Sequence, residues 1–276
     1  MTALSKADEA QMQARLQDAV VSCNDRCLYH SAKWAAELLH SLPTPLDDDG
    51  SETDVDSPMS ETRSHSTKDA AELRIEAREA HKLLLAKTYF DCREHDRCAA
   101  VFLPSSSSSS AQGAPSSAPP SKGSARGKAK MATPTKPRPS VGVVLGLSQK
   151  ALFLALYAKY IAGEKRMNED SEMILGPQDG GVTMNKELSA ISAVLEDWFA
   201  NLPTSGRQPQ GWLEYLYGIV LAKGKNEKQA LDYFIRSVHL YSYNWGAWQE
   251  LSNLLNTIDE VSLPMIVVVF SYHPPY

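Results

Sequence analysis

Between Gly211 and Leu255 the chain carries a helical pattern that returns after 34 residues, and few architectures satisfy it. With Gly211 as position one, Gly218 falls at position eight, Ala230 at twenty and Phe234 at twenty-four. Small residues at eight and twenty let two helices touch, and the large residue at twenty-four fills the space beside them. Moving on by 34 sets the frame at Trp245 and places Trp248, Leu251 and Leu255 at positions four, seven and eleven. An earlier window repeats the arrangement, with Leu85, Ala86 and Tyr89 at seven, eight and eleven and Cys98 and Phe102 at twenty and twenty-four.

This period and these positions are those of the tetratricopeptide repeat (TPR), a helical hairpin that buries its apolar face only against its neighbours. The predicted fold is therefore all-α: tandem TPR hairpins stacked as an α-solenoid with a concave peptide-binding surface, interrupted by disordered linkers. The domain limits follow the composition. Residues 1–42 read as an N-terminal hairpin. Its first helix carries Met12, Leu16, Ala19, Val20 and Cys23 on one stripe, and its second, from about His30, places Trp34, Ala35, Leu38, Leu39 and Leu42 on one face before Pro43. Residues 43–68 form an acidic loop too polar to bury a core, and 69–103 hold the earlier TPR-like hairpin. Residues 104–147 are a Ser/Pro-rich basic linker that includes six consecutive serines, Ser105 to Ser110. A hairpin over 148–203 follows. Its first helix runs to Gly163 and its second from about Asn185 to Asn201, with the Gly-rich loop 176–181 between them and Pro203 as the stop. A full TPR occupies 211–244, the first helix of an incomplete one 245–258, and an atypical tail 259–276.

Several chemistries are disfavoured by the same reading. Net charge is −5, and the basic residues that cluster do so in the linker, so no basic stripe on a folded face points to nucleic acid. No apolar run approaches the roughly 18 residues of a membrane span. The Gly-rich loop lacks GxxxxGK[ST] and GxGxxG, which disfavours a nucleotide cradle. Cys23 and Cys27 lie four apart, but no second ligand pair completes a zinc site; they read as reduced thiols in a half-buried or buried setting. No titratable pair stands at catalytic spacing on a predicted rigid element, so no catalytic residue, metal or cofactor is expected. In the linker, Thr133-Pro134-Thr135-Lys136 makes Thr133 a phosphorylation candidate; the surrounding positive charge reads as solubility, a nuclear-import signal or a phosphorylation platform.

On a TPR the first helices line the groove, so positions five and nine mark the candidate peptide-groove residues Tyr215, Gln249 and Asn253. An asparagine there offers a peptide backbone both donor and acceptor, while a solvated polar face is the equal alternative. Trp212, Tyr215 and Ile219 at positions two, five and nine argue against the lysine clamp of a co-chaperone, the free-standing adaptor reading.

Four stretches carry a more specific likeness: CLYHSAKWAAELLHSLP (27–43), AKTYFDCREHDRCAAVF (86–102), FLALYAKYIAGEK (153–165) and YLYGIVLAKGKNEKQALDYFIRSVHLYSYNWGAWQEL (215–251). They resemble the N-terminal part of the subunit 8 / cell division cycle protein 23 family of the anaphase-promoting complex (cyclosome), a multi-subunit ubiquitin ligase. The resemblance runs from about Ala14 to Leu255 outside the two linkers. It implies a non-catalytic scaffold in mitotic cell-cycle control, found in nucleus and cytoplasm, whose grooves hold neighbouring subunits and a short motif of the activator protein. It also implies a homodimer through the N-terminal repeats, with Trp34, Leu38 and Leu39 as interface candidates. After about Ile258 the sequence is expected to leave the family pattern, as a truncated or misread product would.

Overall fold

The computed structural model describes residues 6–42, 70–103, 144–172 and 184–257, and every regular element among them is a helix. In chain order these are α1 (Lys6–Asn24), α2 (Tyr29–Ser41), α3 (Ala70–Asp91), α4 (His95–Phe102), α5 (Gln149–Glu172), α6 (Leu188–Ser205), α7 (Trp212–Lys223), α8 (Glu227–Leu240) and α9 (Trp245–Thr257). The acidic loop, the linker as far as residue 143 with Thr133, the Gly-rich loop 176–181 and the tail from residue 259 lie outside the described residues.

The hairpin α7–α8 shows why the pattern folds as it does. A Cβ on Gly218 would stand 2.6 Å from the Phe234 ring, closer than any real side chain permits, so glycine at position eight is what admits the phenylalanine at twenty-four. Ala230 and Phe234 are fully buried. Gly211 begins α7 with φ +90°, and the Glu214 carboxylate accepts its N–H at 2.9 Å, satisfying a donor that the helix cannot. The Ser237 hydroxyl of α8 donates to the Gly211 carbonyl at 2.7 Å, fixing the end of the second helix to the start of the first. The earlier copy obeys the same rule: Leu85, Ala86, Tyr89, Cys98 and Phe102 are all buried.

Hairpins pack in sequence order. Helix α2 meets α3, α4 and α3 meet α5, α5 meets α6 and α7, and α8 meets α9. One apolar core threads the stack, from Val20 through Ala36, Ala86, Leu152 and Leu195 to Leu251. The molecule is an all-α, TPR-like solenoid.

Six sequence expectations change in detail. Helix α2 turns Ala32, Ala35, Ala36 and Leu39 inward, whereas Trp34 and Leu38 point out, because small residues are what a close helix approach demands. On α1 the stripe is likewise narrower, with Val20 and Gln13 buried and Met12 outside. Helix α5 does not stop at Gly163 but continues to Glu172; that glycine lies where a Cβ would collide with the Asn185 side chain, which donates to the Tyr160 carbonyl and Glu164. Pro203 falls inside α6 and not at its end. Thr204 and Ser205 hydroxyls donate to the carbonyls of Asn201 and Leu202, and Gly206 at φ +68° closes the helix, so the hairpin extends beyond residue 203. Within residues 144–147, expected to belong to the linker, Val144 is buried and Leu147 packs partly buried against the core. Cys27, expected to be at least half-buried, is exposed in the α1–α2 turn with φ +57°, while Cys23 and Cys92 are half-buried and Cys98 is buried.

Candidate protein-interaction surface

The first helices α3, α5 and α7 lie side by side, and α9 follows at the end. Their aromatic residues make a chain of ring contacts across three hairpins. Phe90 of α3 stacks on Tyr157 of α5 at 5.9 Å, Tyr157 on Phe153 at 5.4 Å, and Phe153 meets Trp212 of α7 at 6.1 Å. Trp212 then contacts Tyr241 at 4.7 Å and Tyr241 contacts Tyr243 at 6.0 Å, in the turn before α9. None of the six is buried; four are half-buried and Tyr241 and Tyr243 are exposed, Tyr243 by 86%. Rings held at these spacings present flat apolar faces of low conformational entropy, suited to covering an extended peptide.

Tyr215, a sequence candidate for the groove, is half-buried one turn from Trp212. Its ring meets Phe234 at 6.3 Å and its hydroxyl lies against Gly246, where an added Cβ would stand 2.6 Å away. Burial first, then Tyr157 and Glu250, push this phenol up to about 12, so it remains a neutral hydrogen-bonding group. Tyr215 thus packs α7 on α9 as well as edging the surface. Gln249 and Asn253, the other two candidates, are both exposed on α9. Asn253 sits seven residues beyond Gly246, on the side of α9 that meets Tyr215.

A second exposed surface lies at the other end. On α2, Trp34 is 64% and Leu38 38% exposed, one turn apart, with Tyr29, Leu28 and Val21 exposed nearby in the chain. Leu39, the third interface candidate, is 1% exposed within its own chain. The adjoining flank of α2 is tied to the next hairpin. Lys33 donates to Glu94 at 2.5 Å, Tyr89 and Arg97 both donate to the Glu37 carboxylate, and the Arg97 guanidinium lies 4.2 Å above the Tyr89 ring. Lys33, then Arg97, hold the Glu94 carboxyl below its usual value.

Sequence reading found the repeat but not two further features. The aromatic chain is hidden because its members come from different positions of different repeats. The second is polar: the carboxylates of Glu72 and Glu79 on α3 accept from the start of α5, and Arg207 joins them. An E…E spacing of seven on a helix was its only sequence signal. Among the described residues no group of three or more His, Cys, Asp or Glu could hold a metal, and no helix is long and apolar enough to cross a membrane. Burial drives the Cys98 thiol up to about 12, the environment of a structural and not a reactive cysteine.

A stack of TPR-like hairpins with an open aromatic face is common to many binding proteins, and comparison with known proteins narrows it. The profile of one family, described as anaphase promoting complex subunit 8 / Cdc23, matches residues 11–274. The chain belongs to that family. The Cell division cycle protein 23 homolog of Bos taurus is 31% identical over 232 residues, which is 84% of this chain and 28% of that protein. Anaphase-promoting complex subunit 8 of Arabidopsis thaliana is 28% identical over 262 residues, covering 88% of this chain and 37% of its own. Anaphase-promoting complex subunit CDC23 of Saccharomyces cerevisiae is 24% identical over 296 residues, with 91% and 41% covered. The chain thus spans less than half the length of these relatives. The family match passes beyond Ile258, where the sequence was expected to leave the family pattern.

Proposed function

We propose that this chain acts as a non-catalytic scaffold within the anaphase-promoting complex, binding neighbouring subunits and, through its first-helix face, a short motif of the activator protein. Membership of the subunit 8 / Cdc23 family is the observation that carries this reading, and the relatives' names state the complex. The run of open rings from Phe90 to Tyr243 supports a peptide-binding role, and Gln249 and Asn253 offer exposed amides on α9. The exposed pair Trp34 and Leu38 supports pairing with a second copy. The proposed location is nucleus and cytoplasm, with Thr133 as a regulatory phosphorylation site.

Affinity purification of the tagged chain followed by mass spectrometry tests the reading. Recovery of other anaphase-promoting complex subunits is expected; recovery of chaperones alone would overturn it in favour of a free-standing adaptor. Titration of the activator motif against a full-length chain tests the groove, where Asn253→Ala is expected to weaken binding roughly tenfold, the scale of one or two lost hydrogen bonds. Unchanged affinity would remove Asn253 from the site.

A further inference from the structure

The chain leaves α4 at Leu103 and returns at Val144, and what awaits it there is a set of buried polar groups contributed by three distant segments. Glu72 and Glu79 stand two helical turns apart on α3, with 1% and 6% exposure. Ser148 donates to the Glu79 carboxylate through its N–H at 3.1 Å and its hydroxyl at 2.7 Å. The Gln149 N–H donates to Glu72 at 2.5 Å. These are the orphan donors at the N-terminus of α5, so α3 caps α5 in trans, with negative charge where the helix dipole favours it. Arg207, from the α6–α7 connection, pairs with Glu72 at 2.9 Å and donates to the carbonyls of Leu147 and Leu145 at 2.8 and 3.4 Å. The Gln149 side chain donates to the Gln208 carbonyl at 2.9 Å.

Beside these polar groups runs an apolar contact. Cys98, Ala99 and Phe102 of α4 belong to one buried cluster with Ala151, Leu152, Ala155 and Leu156 of α5, and farther along, Arg166 grips Asp96 through one nitrogen at 2.9 and 2.8 Å. The apolar contact supplies attraction without direction, whereas the carboxylates accept only donors that arrive in one register.

We propose that Glu72, Glu79 and Arg207 form a clasp that holds residues 6–103 and 144–257 together as one solenoid whether or not the chain between them is intact. Peptide-bond continuity across the insertion is then dispensable to the assembled module. A cut made there leaves the binding surface whole, and the clasp is the point at which the two halves are opened.

The test uses the full chain with a site-specific protease sequence placed at Gly123. After cutting, the native chain is expected to elute as a single species of unchanged size at about 1 μM. Separation into two fragments at that concentration would overturn the proposal without recourse to any variant. In the second arm, Arg207→Ala and Glu79→Ala are cut in the same way. Each is expected to weaken association of the fragments by roughly 100-fold or more, the scale set by stranding a buried charge or buried donors. Helix content of the uncut variants, read by circular dichroism, verifies that they are folded before cutting. Folded variants whose fragments hold together as tightly as native ones would show that the apolar contact suffices and would overturn the role of the clasp.

Discussion

At Gly218 the missing side chain is what lets α7 and α8 meet, and a single methyl group tests it. In Gly218→Ala the new Cβ would enter the space of the Phe234 ring at 2.6 Å, and Phe234 is fully buried with nowhere to retreat. Alanine favours helix by about 1 kcal/mol, yet overpacking costs about 1–3 kcal/mol, so net destabilisation is expected. A denaturant melt that shifts to higher stability would contradict this. Arg207 and Glu72 give a pH-dependent counterpart. Burial raises the Glu72 carboxyl above its ordinary value of 4.5 in spite of the Gln149 N–H and Arg207, which lower it. A raised folded pKa means that the favourable contribution is complete below 4.5 and is lost as pH climbs through the folded value. Removing Arg207 takes away a lowering influence and extends that loss upward. Arg207→Ala is therefore expected to cost about 3–5 kcal/mol near pH 7 and clearly less near pH 5, measured against the native chain at each pH. Gly218 was legible in the sequence because the repeat assigns it a role. Arg207 was not, since its partner lies on a helix more than a hundred residues earlier and no local pattern announces the pairing.

Whole helices were legible in existence and only partly in orientation. Helix α2 is the instructive case: an apolar stripe containing Trp34, Leu38 and Leu39 reads as one face, but the helix has more apolar residues than one face can hold. Packing chose the alanines and Leu39 for the inside because α1 and α3 approach closely, and left the bulky Trp34 and Leu38 outside. The two faces separate by substitution. Trp34→Ala with Leu38→Ser is expected to leave the melting curve nearly unchanged, within about 0.5 kcal/mol per site, while lowering self-association in sedimentation. Leu39→Ala is expected to do the reverse, destabilising the fold by about 2–5 kcal/mol. If the double substitution leaves self-association intact, the outer face of α2 is not the contact. Pro203 teaches a similar lesson at the other boundary: a proline near a C-terminus is tolerated for two more residues when hydroxyls of Thr204 and Ser205 take up free carbonyls.

For the whole molecule, order in sequence is order in space, and each hairpin depends on its neighbours rather than on a shared centre. The first hairpin makes its main contacts through α2 on α3, with the Glu37–Arg97 pair reaching α4. A chain without residues 1–42 is accordingly expected to keep a cooperative melt, seen by circular dichroism, with helix signal reduced by about the share of α1 and α2 and a modestly lower midpoint. Collapse of the whole signal would show a tighter coupling than neighbour contacts provide. The same linear design scatters the tryptophans along the stack in settings that differ sharply: Trp198 is sealed at 2% exposure, Trp212 sits among tyrosine and phenylalanine rings, and Trp34 and Trp245 face water. Light absorbed by Tyr241 or Tyr157 has Trp212 close by as an acceptor. Emission from that indole will therefore change, in the unlabelled protein, when a guest shields the aromatic face, while the sealed indole of Trp198 contributes a constant signal.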